Sequence, residues 1–183
     1  MNGLDFVTSE YYIWFLPIVF LLTFTIGQRQ RRRQIGILMV SSYVFFWMAS
    51  GWHMILLLTS TLVDWTAGKK IHLSEDKVIR KRWLIGSLTI NLGLLAIFKY
   101  LDFLIESWNW ASLRITDAPE MDTFGLLLPV GISFYTFQTM SYTIDIYRGK
   151  NKPYDDLLAF SCYAAFFPQL VAGPIVRAEH FRS

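Results

Sequence analysis

Residues 83–104 read WLIGSLTINLGLLAIFKYLDFL, and this stretch decides the fold. A helix rises ~1.5 Å per residue, so about 20 residues cross the ~30 Å hydrocarbon core of a bilayer. The run is long enough, and its only charged side chains, Lys99 and Asp102, fall near its end. Five more runs share this character, at residues 11–27, 35–50, 52–68, 124–147 and 157–176. Six apolar runs predict an all-α, multi-pass transmembrane protein, with residues 1–183 forming a single membrane domain. The first run is not a cleaved signal peptide: Asp5 and Glu10 precede it, the basic residues follow it, and no A-x-A site is present.

Composition agrees. Hydrophobic residues make up 54% of the 183 and charged residues 17%, below the ~25% usual for soluble domains. This excludes a disordered chain, and a lone Cys162 excludes an internal disulfide scaffold. A net charge of +3 suggests nucleic acid only until the charges are located: they lie in short blocks between apolar runs, not over one continuous face.

Those blocks alternate. Arg29, Arg31, Arg32 and Arg33 follow run one; Lys69, Lys70, Lys77, Arg80, Lys81 and Arg82 follow run three; Arg148, Lys150 and Lys152 follow run five. Glu106, Asp117, Glu120 and Asp122 dominate the loop after run four. The positive-inside rule then sets the N-terminus outside and the basic loops in the cytoplasm. Gly51 and the uncharged residues around it predict a tight outer hairpin between runs two and three.

Polar residues inside the runs need an explanation. Lys99 and Asp102, three apart, share a helix face: either they form a charged site in a cavity, or the lysine snorkels to the outer interface. Asp145 and Arg148 repeat that spacing. Asp64, near the inner end of run three, reads as reaching headgroups. Asn91 and Gln138 each predict a hydrogen bond to a neighbouring helix. The stretch SFYTFQ at 133–138 mixes hydroxyls with aromatics, which suits a lined cavity better than a lipid face. Pro168, Gly173 and Pro174 make run six irregular, and broken helix at membrane depth requires cover by protein or water. Pro168-Gln169 and the 172–174 stretch therefore line an interior. Arg177 follows at the outer side if run six crosses, and elsewhere if the segment is re-entrant.

Catalytic signatures are few. Gly131-Ile132-Ser133 begins like a nucleophile elbow but lacks the second glycine. There is no phosphate-binding or dinucleotide glycine motif. His53, His72 and His180 are scattered without metal-ligand spacing, so no metal site is expected. Cys162 reads as a small buried hydrophobe.

Three stretches carry a resemblance: LPVGISFYTFQ at 128–138 with YTIDIYRG at 142–149, FFPQLVAGPIVR at 166–177, and NLGL at 91–94 running to Phe98-Lys99-Tyr100. They resemble the membrane-bound O-acyltransferase family, in its bacterial branch of alginate O-acetylation and D-alanyl-transfer proteins. The resemblance implies a ring of transmembrane helices around a tunnel in the cell inner membrane. An acyl donor, acetyl-CoA or an acyl carrier, enters from the cytoplasm; the acceptor, an exported polysaccharide or cell-wall polymer, enters from the other side. A periplasmic acetyltransferase partner is possible within this branch, and no bound cofactor is expected. The family's catalytic His lies in a motif that none of the three histidines here matches. No catalytic residue is therefore carried over, and the chain reads as the N-terminal portion of a longer enzyme. Tyr135, Gln138, Gln169 and Arg177 are the candidate tunnel-lining residues. A non-catalytic membrane scaffold for a periplasmic transferase and a small transporter stay open as rival readings.

Overall fold

In the computed structural model of the protein, residues 11–26, 30–115, 121–125, 129 and 131–172 are described. All regular structure among them is helical, and none is strand. A π turn, Tyr11–Phe15, leads into α1, Leu16–Thr25, with Pro17 in the first turn, where a missing N–H is best tolerated. Ile13, Trp14, Phe20, Leu21 and Phe24 are exposed and Val19 is buried, the pattern of a helix with lipid on most sides.

α2 spans Arg31–Ser50 and α3 spans Met54–Leu73. Gly51 ends α2 at φ +58°, a conformation glycine adopts without steric penalty, and a 3₁₀ turn, Gly51–His53, starts α3. The chain reverses there as expected, and Phe46 of α2 shares a core with Leu56 and Leu57 of α3. Asp76 accepts from the Val78 backbone N–H at 2.7 Å as α4, Lys77–Ile115, begins. At ~1.5 Å per residue, the 39 residues of α4 extend about 58 Å, well past the apolar run that announces the helix. Met121 then runs back beside α4: Asn109 donates to its carbonyl at 2.7 Å and accepts from its N–H at 2.9 Å. Phe124 N–H donates to Asp102 at 3.0 Å.

The fifth run corrects the sequence reading. It is apolar from residue 124, yet α5 spans only Ile132–Tyr147. Residues 121–125 are not helical, and Gly131 at φ +71° sets the helix start. The sixth run is broken as expected. α6, Leu157–Ala165, is capped by Asp156, which accepts from Leu158 N–H at 3.1 Å. Phe166 leaves helical geometry, and α7, Phe167–Ala172, follows with Pro168 in its first turn. The break is covered by protein: Phe167 N–H donates to the buried Ser42 hydroxyl of α2 at 3.3 Å. The expected irregularity at Gly173 and Pro174 lies outside the described residues.

The described helices do not confirm a count of six apolar runs. Two stretches, Arg31–Leu73 (which contains the Gly51 turn) and Lys77–Ser112, are long and apolar enough to cross a membrane by length and composition; Ile13–Thr25 and Leu157–Gln169 are apolar but shorter.

Three contacts gather the basic loops at one end of the bundle. Arg32 lies 3.7 Å from Asp156, Lys69 Nζ donates to the Asp155 carbonyl at 3.1 Å, and Arg80 donates to the Tyr147 carbonyl at 2.9 Å. The Gly51 turn lies at the other ends of α2 and α3. Most tryptophans are exposed, but Trp65 turns inward and donates to the Tyr154 carbonyl at 3.1 Å.

α3 and α5 meet at Gly68. A Cβ there would sit 2.9 Å from both Ile146 Cδ1 and Tyr142 Cε1, whereas one at Gly93 would meet nothing within 4 Å. Gly68→Val should destabilise the bundle by about 1–3 kcal/mol through overpacking, and Gly93→Ala should not. Thermal unfolding of the two purified variants in detergent, followed by tryptophan fluorescence, checks the difference.

Candidate functional site

The polar centre of the molecule is built from three pairs of residues, each pair four apart on its helix. They are Ser60 and Asp64 on α3, Ser87 and Asn91 on α4, and Thr139 and Thr143 on α5. Spacing of four puts both members on one helix face, and all six side chains are buried. Asp64 is the hub. Ser87 donates to its Oδ1, and Asn91 Nδ2 donates to Oδ1 at 2.9 Å and to Oδ2 at 3.0 Å. The Thr143 hydroxyl lies 3.4 Å from Oδ1, shared with the Thr139 carbonyl at 3.2 Å. Asn91 Oδ1 in turn accepts from Ser60 at 2.7 Å.

This overturns the sequence reading of Asp64 as a side chain reaching headgroups: it is 0% exposed and faces protein on every side. The signal was available in the three four-residue spacings, although nothing local says that they meet. Asn91 does bond a neighbouring helix, as expected. Gln138 does too: its Nε2 donates to the Tyr163 carbonyl of α6 at 2.8 Å, and the Tyr163 hydroxyl donates back to the Gln138 carbonyl at 3.3 Å.

Of the candidate lining residues, Tyr135 and Gln138 stand one turn apart on α5, and both are buried. The Tyr135 ring meets Phe46 edge-on at 5.9 Å, and its buried hydroxyl has no hydrogen-bond partner among the described residues. Gln169 is buried on α7, across the helix break. Arg177 lies outside the described residues.

The other polar positions follow their plainer readings. Lys99 is exposed, with Nζ 5.3 Å from the Tyr100 ring, and Arg148 is exposed at the basic end. Buried His53 holds the Gly51 turn, Nδ1 lying 2.7 Å from the Ser50 carbonyl, with its ring stacked 4.1 Å from Trp52. His72 is exposed, and His180 lies outside the described residues. Cys162 is buried in α6. Among the described residues no group of three or more His, Cys, Asp or Glu could hold a metal ion.

Comparison with known proteins identifies the class to which this bundle is similar. The chain is 34% identical over 175 residues to the probable alginate O-acetylase AlgI of Pseudomonas aeruginosa, an alignment covering 94% of this chain and 32% of that protein. The AlgI of Pseudomonas putida is equally similar, with 35% of its length covered. The peptidoglycan O-acetyltransferase of Helicobacter pylori is 28% identical over 201 residues, 93% of this chain and 36% of that protein. The chain spans about a third of the length of these curated relatives. No family model and no solved structure matches it. The names of these relatives, alginate O-acetylase and peptidoglycan O-acetyltransferase, are consistent with a membrane-bound O-acyltransferase-type family, and the apolar helices agree with a membrane protein.

Removal of Asn91 strips two hydrogen bonds from a buried carboxylate. Asn91→Leu should therefore lower stability by about 2 kcal/mol or more. Thr59→Ala should change little, because that exposed hydroxyl bonds only its own helix, at the Ile55 carbonyl. Denaturant titration of the detergent-solubilised variants measures both.

Proposed function

We propose that this chain works in a membrane O-acyltransferase that moves an acetyl group onto hydroxyls of an exported polysaccharide or cell-wall polymer. The observation that carries the reading is identity at 34% along 94% of the chain to a probable alginate O-acetylase. In the reaction the acceptor hydroxyl oxygen forms a new bond to the acyl carbonyl carbon. The bond from that carbon to the donor's sulfur breaks, the hydroxyl proton passes to a base, and the departing thiolate takes up that proton from the base. No residue of this chain is assigned as that base. The donor is acetyl-CoA or an acyl carrier, and the acceptor stage includes a periplasmic acetyltransferase partner.

The chain crosses the inner membrane repeatedly, with its N-terminus in the periplasm. The gathering of the basic loops at one end supports this orientation, because that end then meets the cytoplasm. Tyr135, Gln138, Gln169 and Arg177 line the tunnel. Support for Tyr135 comes from its hydroxyl: a buried phenol with no partner among the described residues is unfavourable for folding and is accounted for by a passing polar substrate.

Deletion of the gene encoding the chain should abolish acetyl esters on the exported polymer; unchanged ester content would overturn the reading. Purified 1–183 should not transfer acetyl groups above a no-protein control. In cells, Tyr135→Phe should leave protein level and melting temperature unchanged while lowering acetylation about tenfold, the factor for one lost hydrogen bond of ~1.4 kcal/mol. Wild-type acetylation by that variant would remove Tyr135 from the tunnel.

A further inference from the structure

Where α1 ends beside the start of α2, the two helices and Leu158 of α6 leave an open-sided groove of about 520 Å³. Leu22 and Ile26, one turn apart, form its α1 wall. Arg33, Gly36 and Val40 form its α2 wall, because spacings of three, four and seven put all three on one helix face. At ~1.5 Å per residue, the groove runs about 10 Å from Arg33 at the basic end to Val40 in the apolar part of the helix. Gly36 leaves it room: a Cβ there would meet nothing within 4 Å. No positive φ calls for glycine at this position, and glycine in a helix interior is unfavourable. The charge is one-sided. Arg33 is the one charged residue lining the groove among the described residues, and its exposed side chain has no hydrogen-bond or ion-pair partner among them. Asp156, two residues before Leu158, is already engaged, as the cap of α6 and 3.7 Å from Arg32.

An unanswered guanidinium at the end of an apolar trough suits a ligand that is anionic at one end and hydrocarbon at the other. A guanidinium pairs well with a phosphodiester, whereas an ammonium added to the headgroup finds no carboxylate in this groove. A soluble phosphorylated donor carries no long chain to lay between Leu22 and Val40. In lipid a chain gains little from burial alone, so occupancy follows shape and selectivity follows charge. We propose that the groove seats an anionic phospholipid, its phosphodiester against Arg33 and one acyl chain between Ile26, Gly36 and Val40. The seat stands apart from the acetyl-transfer reading and from the orientation, since either leaflet supplies the lipid.

The test uses the purified chain in nanodiscs containing equal parts of phosphatidylglycerol, phosphatidylethanolamine and phosphatidylcholine, with retained lipid read by native mass spectrometry after release. Phosphatidylglycerol should be retained over phosphatidylcholine by about fivefold, the scale of one partly exposed ion pair. Arg33→Gln should erase that preference while still retaining phospholipid, a change that misfolding does not produce. Gly36→Leu should fill the groove and lower retention of all three lipids by about fivefold or more. Its melting temperature should be no lower than that of the unaltered chain, because leucine is the better helix former. Gly93→Leu, on α4 and equally free of neighbours, should leave retention unchanged. If Gly36→Leu melts lower, the Arg33→Gln result decides by itself. Equal retention of phosphatidylglycerol and phosphatidylcholine by the unaltered chain would overturn the seat. So would an undiminished preference in Arg33→Gln, full retention by a stably folded Gly36→Leu, displacement of the lipid by coenzyme A, or a lipid-free dimer with the groove closed by a second copy.

Discussion

A carboxylate cannot be placed in the interior of an apolar helical bundle unless its oxygens are answered, and the rest of this structure depends on how Asp64 is answered. An unpaired ion in low dielectric is costly enough to drive rearrangement. Here Ser87 and Asn91 of α4 and Thr143 of α5 converge on it from two helices, while Asn91 is itself steadied by Ser60 of α3. Apolar packing in lipid is poorly directional, since a lipid tail competes well with a leucine. Hydrogen bonds are directional, so the network sets the rotation of each helix about its own axis. Once α3 and α5 are so fixed, Gly68 permits the close approach at which Tyr142 and Ile146 pass its missing side chain.

The same requirement governs the backbone. Where the helical ladder stops inside an apolar region, freed N–H groups need partners. At Phe166 the partner is Ser42, from a helix more than a hundred residues earlier in the chain. At Gly131 the start of α5 is closed by its own turn, with Phe134 and Tyr135 N–H donating to the Gly131 carbonyl at 2.9 Å and 3.0 Å. Gln138 then ties α5 to α6 by a reciprocal pair with Tyr163, just before α6 breaks. The interior is thus irregular in backbone yet largely satisfied; among the described residues the buried Tyr43 and Tyr135 hydroxyls and Arg80 Nε have no hydrogen-bond partner.

Hydropathy marked where apolar segments lie, and the charge blocks marked which loops share an end; both are properties of neighbours along the chain. Helix limits were less legible. Run five is as apolar at residues 124–131 as later, but hydropathy measures partition and not backbone conformation, and Gly131 decides the latter. α4 continues beyond residue 104 to Ile115 although its composition turns polar, because a helix already nucleated extends readily. Gln138 and Asn91 were legible as amides in need of partners. Asp64 was not, because its position near a run end offered a cheaper local explanation, and its partners lie 23 to 79 residues further along. Of the lining candidates, burial places Tyr135, Gln138 and Gln169 inside the protein, while what passes them is a matter of chemistry and not of fold.

The bundle is also unevenly held. α3, α4 and α5 are joined by the buried polar network and α5 to α6 by the Gln138–Tyr163 pair, whereas α1 meets its neighbours through rings. Phe15 packs at 5.7 Å from Phe45 and 5.3 Å from Phe167, and Phe45 at 5.7 Å from Phe167, with Val19 beside them. Aromatic contacts of this kind tolerate sliding and re-tilting at an expense of about 0.5–1.5 kcal/mol each, while displacement of a donor from Asp64 exposes a charge. Rearrangement is therefore easiest at α1, and hardest at the α3–α4–α5 centre. α7 is tied more firmly than α1, because Phe167 N–H donates to the Ser42 hydroxyl of α2 at 3.3 Å.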